Sequence, residues 1–164
     1  MKAVRYIVET CILDEDNDIN AILVNEQRGA FVPLYLSIDC CESLLDYFNG
    51  NPSEEDKLSW GFVMSTWIKL GFQPVSIIVD HQGDKGTLLP TMTFLQNQAN
   101  VKLIYVSCLI PMGAAVLVSS ILNVPFYMTE SAESVVKRID LSKLNEYIEQ
   151  VSVPLEEDED EDET

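Results

Sequence analysis

The chain has 164 residues, 47% of them apolar, enough for one domain with a core of ordinary size. Its formal charge is −17, and no basic stripe offsets it, so the electrostatic footprint expected of a nucleic-acid binder is missing. Eight of the 27 acids form the run "EEDEDEDE", residues 156–163, which leaves 19 acids against ten bases, a net −9.

The opening "MKAVRYIVETC" has no basic-then-apolar leader pattern, and Glu9 stands where an apolar segment would continue. Residues 4–13 are β-rich. Val4, Tyr6, Val8 and Thr10 are predicted on one face, with Arg5, Ile7 and Glu9 on the other. The turn "DEDND" leads to a short strand at 21–25, a second turn at "EQRG" and a strand at 30–38. Pro33 marks that third strand as an edge or a bulge. Asp14, Asp16 and Asp18 alternate as in a calcium loop. The sixth and twelfth positions of such a loop, however, are Ile19 and Asn25 instead of Gly and Glu, so a solvated hairpin turn is expected.

Asp39 with Glu42 reads as a capping box for a helix "CCESLLDYFN" that ends at Gly50. Ser53 and the acids after it suit the start of a second helix, which runs to Leu70 and is stopped by Gly71. Trp60 and Trp67 lie seven apart on that helix, a spacing for core packing or for a subunit stripe. A second run of strands follows at 75–80, 87–96 and 101–107. The turn "HQGDKG" after the first of these is the one place where His, Asp and Lys coincide, at His81, Asp84 and Lys85, with Asp80 alongside. Residual acid–base chemistry would centre on His81.

Residues 103–129, "LIYVSCLIPMGAAVLVSSILNVPFYMT", carry no charge. A membrane span needs about 20 helical residues. The β-branched and aromatic start, Pro111 and Pro125 cut this stretch into a strand, a helix of about 12 residues and a strand. Two short helices are expected across 131–150, then the acidic run, which repels itself and buries nothing. The predicted organisation is one α+β domain at residues 1–150, built from two three-stranded antiparallel meanders each followed by helix, and a disordered acidic tail at 151–164. Four cysteines (Cys11, Cys40, Cys41 and Cys108) lack CxxC spacing, and His81 is the only histidine. No metal ligand set is expected, and the thiols read as reduced, mostly buried and cytoplasmic.

Four segments, in order and spacing, resemble the bifunctional nuclease domain family: "YIVETCILDEDNDINAILVNEQRGAFVPLYLSI", "CCESLLDYFNG", "WIKLGFQPVSIIVD" and "VSCLIPMGAAVLVSSILNVPFYM". The family consists of small α+β proteins assigned DNase and RNase activity, so the resemblance implies that fold across nearly the whole folded part. It also implies a signature, Asp-x-Arg-Pro-Ser-Asp-Ala, after the second run of strands. Here those positions are Cys108, Leu109, Ile110, Pro111, Met112, Gly113 and Ala114. Pro111 and Ala114 match; both acids, the Arg and the Ser do not. The family's His-Asp pair falls at Trp60 and Gly61, and its helix Glu falls near Cys40, two positions from Glu42. Phosphodiester cleavage needs carboxylates for a divalent metal and a cation for the developing charge. The expectation is therefore a divergent family member without nuclease activity that self-associates as a binding or scaffold module. The alternative is a metal-assisted nuclease using Mg²⁺ or Mn²⁺ on groups not identified by the alignment. No catalytic residue, cofactor or membrane contact is assigned.

Overall fold

The computed structural model describes residues 2–14, 16, 18–36, 65–67, 69–82, 87–96 and 104–152. Eight strands form one mixed sheet: β1 (Ala3–Leu13), β2 (Ile19–Asn25), β3 (Ala30–Leu36), β4 (Phe72–Gln82), β5 (Thr87–Gln96), β6 (Ile104–Leu109), β7 (Phe126–Thr129) and β8 (Ile139–Asp140). The helices are α1 (Met112–Leu122), α2 (Glu130–Val135) and α3 (Leu144–Val151), with 3₁₀ turns at Glu26–Arg28 and Leu141–Lys143. Residues 65–67 and 69 are also helical, and Gly71, at φ +76°, ends that turn. The fold is α+β, as the alternation of strand and helix patterns predicts. The capping box at Asp39 and Glu42, the helix it begins, Trp60, Asp84 and Lys85 lie outside the described residues, as does the acidic run.

The sheet order is β6-β5-β4-β7-β1-β2-β3-β8. All neighbours pair antiparallel except β4 with β7, which are parallel. Alternation along β1 holds as far as Val8: Tyr6 is buried, while Arg5, Ile7 and Glu9 are exposed. A register shift between Val8 and Thr10 then reverses the pattern, and Cys11, not Thr10, enters the core. Such a shift adds a residue to one strand and so moves every later side chain to the opposite face.

That reversal lets one sheet serve two cores. All seven residues of β2 are buried. Ile19, Ala21 and Leu23 join the larger core with Val32, Leu34, Ile77, Phe126 and the buried side of α1. Ile22, Val24 and Phe31 pack on the other face against Ile12, Leu144 and Tyr147. The Phe31 and Tyr147 rings meet edge to face, with centroids 5.3 Å apart, which fixes α3 on the sheet. Pro33 pairs with Ile22 on one side, whereas β8 pairs only with Ala30 and Phe31. The missing amide therefore faces an open edge, as its place in the sequence predicts.

Residues 103–129 divide into β6, α1 and β7. α1 has 11 residues, and no helix among the described residues is long and apolar enough to cross a membrane. Pro111 stands at its N-terminus and Asn123, in the left-handed region, at its C-terminus.

Candidate functional site

Polar side chains converge where the parallel strands β4 and β7 end and α2 begins. The register Ile77↔Phe126, Ile78↔Tyr127, Val79↔Met128 carries on to bring Asp80 beside Thr129. The Thr129 hydroxyl donates to Asp80 Oδ1 at 2.6 Å and accepts from the Ala132 backbone N–H at 3.1 Å, capping α2. The His81 backbone N–H donates to the same Asp80 oxygen at 2.9 Å. Hydrogen bonds from Thr129 and then from the His81 amide hold the Asp80 carboxyl below the usual carboxylate range.

His81 Nδ1 lies 3.4 Å from Ser131 Oγ, and its buried Nε2 has no hydrogen-bond partner among the described residues. The structure thus brings Asp80, His81, Thr129 and Ser131 together. Asp80 is committed to a hydroxyl and a main-chain amide, not to the imidazole. A Ser–His–Asp relay requires the carboxylate on the imidazole and a close Ser–His bond; this cluster has neither and instead ties β4 to the start of α2.

The same short helix anchors a second polar group that motif reading does not find. Glu133, whose side chain is only 6% exposed, accepts from Arg28 Nη1 at 2.8 Å on both carboxylate oxygens. It also accepts from the Tyr6 hydroxyl at 2.7 Å. Arg28 is aimed by the 3₁₀ turn Glu26–Arg28, whose cap is Asn25: Asn25 Oδ1 accepts from the Arg28 amide, and Asn25 Nδ2 donates to the Arg5 carbonyl. Burial, then the bond to Glu133, raises the Tyr6 hydroxyl well above its ordinary value. The placement of Tyr6 on the Val4 and Val8 face of β1 was the only sequence signal, because 105 and 127 positions separate Glu133 from its partners.

In the "DEDND" turn, Asp14 Oδ1 accepts from the Asp16 and Asp18 amides, and Oδ2 from Asn20 Nδ2 at 2.8 Å. The carboxylate is spent on closing a hairpin. Among the described residues no group of three or more His, Cys, Asp or Glu side chains is placed to hold a metal ion.

Among the described residues, four of the eight exposed large hydrophobic side chains lie on β6: Ile104, Tyr105, Val106 and Leu109. All six residues of β6 are exposed, with Tyr105 at 67% and Leu109 at 66%. β5 pairs with one edge of β6, and among the described residues β6 ends the sheet. Cys108, expected among buried thiols, is exposed here on a strand whose six residues are all exposed, whereas Cys11 is buried.

Comparison with known proteins finds no family model that matches the chain and no curated protein significantly similar to it.

Proposed function

We propose that this chain is a divergent relative of the bifunctional nucleases. In this reading it keeps the framework of two three-strand units, each followed by helix, and works as a homo-oligomeric binding module without nuclease activity. The observation that carries the reading is β6: an uncharged strand, all six residues exposed, at the edge of the sheet among the described residues, in a chain of net charge −17. An open edge presents unpaired N–H and C=O groups, and proteins ordinarily blunt such edges with Lys, Pro or a bulge. Ile104, Tyr105, Val106, Ser107, Cys108 and Leu109 supply none of these. Two copies of so acidic a chain repel one another over most of their surfaces. An uncharged strand lets them approach, and pairing β6 with its counterpart across a two-fold axis closes both edges at once.

Loss of catalysis is supported by the residues at the signature positions. Cys108, Leu109, Ile110, Met112 and Gly113 offer neither carboxylates for a divalent metal nor a cation for a phosphorane-like transition state.

Light scattering on the size-exclusion eluate tests self-association. The wild type is expected to run as an oligomer and Val106→Lys as a monomer; a wild type that stays monomeric at high concentration rejects the oligomeric reading. Incubating the purified chain with single- and double-stranded DNA and RNA in Mg²⁺ or Mn²⁺ tests catalysis. Robust turnover overturns the non-catalytic reading and favours the metal-assisted nuclease.

A further inference from the structure

β8 stops after two residues, at the point where Pro33 would have to supply the next amide. β8 runs antiparallel to β3 with Ala30 opposite Asp140 and Phe31 opposite Ile139, and the Leu141 amide donates to the Gly29 carbonyl at 2.8 Å. Main-chain groups alternate in direction along a strand, so those of Gly29, Phe31, Pro33 and Tyr35 point to the β8 side. The next rung would join Pro33 to Lys137, and proline has no N–H to give. Residues 136–138 accordingly lie outside the ladder.

A groove of about 310 Å³ opens between this part of β3 and the segment that leads out of α2. Its two sides differ. Leu34, Leu88 and Val136 lie on the side of the larger core. Tyr35 and Tyr147 stand on the opposite side, with their hydroxyls 3.4 Å apart, and Tyr35 is 66% exposed. Lys137 is the one charged side chain among the described lining residues.

We infer that this groove takes the free C-terminus of a partner peptide, added to β3 as a short antiparallel strand with an apolar penultimate residue. Main-chain geometry is the first argument. A strand running in the sense of β8 passes Tyr35 first and Pro33 last. Its residue opposite Tyr35 exchanges two bonds, donating to the Tyr35 carbonyl and accepting from the Tyr35 amide. Two residues on, its N–H donates to the Pro33 carbonyl, but its own carbonyl finds no amide to accept from. A chain that ends there places a carboxylate, not a peptide carbonyl, at this position. Charge is the second argument, because Lys137 stands level with Pro33 in the β8 register. Lys137 also lines an adjoining groove with Asp140 and Glu146, whose carboxylates accept from Ser142 and Gln150. A carboxylate on so exposed a lysine therefore contributes a factor of about two to five in affinity. Alternation is the third argument. The peptide's middle residue lies opposite Leu34 and shares its face, toward Leu88 and Val136, so an apolar side chain fits there. Added strands bind in this way, with main-chain bonds for affinity and alternate side chains for specificity. The site uses none of β6 and stands independently of the oligomeric reading.

Titration of the ¹⁵N-labelled chain with acetyl-Ala-Leu-Ala, its C-terminal carboxylate free, tests the inference. Millimolar peptide is expected to give saturable shifts of the Tyr35 amide and of residues 135–139. The C-terminal amide of the same peptide, and the free acid on K137Q, should each bind about two- to fivefold more weakly. Acetyl-Ala-Ser-Ala should also bind more weakly than the Leu peptide. The comparison of acid with amide is made on the wild type, so it decides the matter even if K137Q fails to fold. No saturable shift at millimolar peptide, equal binding of acid and amide, or shifts centred on β6 or His81 overturns the proposal. Shifts of the same amides with protein concentration alone would place a second copy in the groove and overturn it as well.

Discussion

The Tyr6 hydroxyl and the Arg28 guanidinium share one acceptor, the Glu133 carboxylate, at 2.7 and 2.8 Å. Through it the first strand, the 3₁₀ turn after β2 and α2 are joined. Glu133→Ala leaves a partly buried Arg28 without its anion and Tyr6 without its acceptor. Breaking a buried pair from one side costs about 3 kcal/mol or more, discounted here because Arg28 is 35% exposed. Tyr6→Phe removes one bond to a charged acceptor, a loss of about 1.5–3 kcal/mol. Urea denaturation should show the two losses coupled: the double variant Tyr6→Phe/Glu133→Ala is destabilised by less than the sum of the singles.

Alkaline pH probes the same bond. The ordinary tyrosine value is 10.0, and folding raises both Tyr6, through burial and Glu133, and Tyr147, through burial and Tyr35. A raised folded value favours the neutral form in the native state. The stabilisation is thus complete below about pH 10, where unfolded tyrosines begin to ionise, and is lost progressively above it. Denaturation midpoints should fall above pH 10 in the wild type and fall less steeply in Tyr6→Phe. Equal slopes would show that Tyr6 ionises alike in both states.

Much of this architecture was legible locally. Hydrophobic alternation and turn residues mark β1 to β3, Pro33 announces an uncovered edge, and Pro111 and Pro125 bracket α1. What the sequence hid was non-local. The Val8/Thr10 register shift turns Cys11 inward without any Gly or Pro to signal it. Residues 101–107 read as an ordinary strand, but whether a strand is covered or terminal depends on which neighbours pair with it. The Arg28–Glu133 pair joins two residues each of which resembles a surface charge in its own segment. The His81 region was recognisable as polar, yet its division of labour depends on the parallel β4–β7 register, which no local pattern encodes.

Acid probes the Asp80–Thr129 bond. Folding lowers the Asp80 carboxyl below its ordinary 3.8, chiefly through the Thr129 hydroxyl. A depressed folded value contributes stability that is present above pH 3.8 and lost as pH falls through the folded value. Stability should therefore decline on the acid side less steeply in Asp80→Asn than in the wild type, with Asp140, lowered by its Ser142 bonds, unchanged in both. At neutral pH, Thr129→Ala removes both this bond and the α2 cap, an expected loss of about 1–2 kcal/mol by chemical denaturation.

Asn123 is the one described non-glycine residue with a positive φ, at +52°, and its backbone turns α1 into β7. The Ser119 hydroxyl donates to the Val124 carbonyl at 2.9 Å, and the Pro125 carbonyl accepts from the Ile77 amide at 2.9 Å. The turn thereby sets the level at which β7 meets β4, and with it the alignment of Asp80 and Thr129. A β-branched side chain is strained in this left-handed conformation, so Asn123→Val should cost about 1–2 kcal/mol. Glycine adopts it freely, so Asn123→Gly should stay within about 0.5 kcal/mol of the wild type. Hydrogen exchange separates a local from a register effect. In Asn123→Val the Ile77 amide and the amides of β7 should lose protection together, while those paired between β2 and β3 keep theirs. Uniform loss across both groups would mean that the turn governs global stability and not the β4–β7 register.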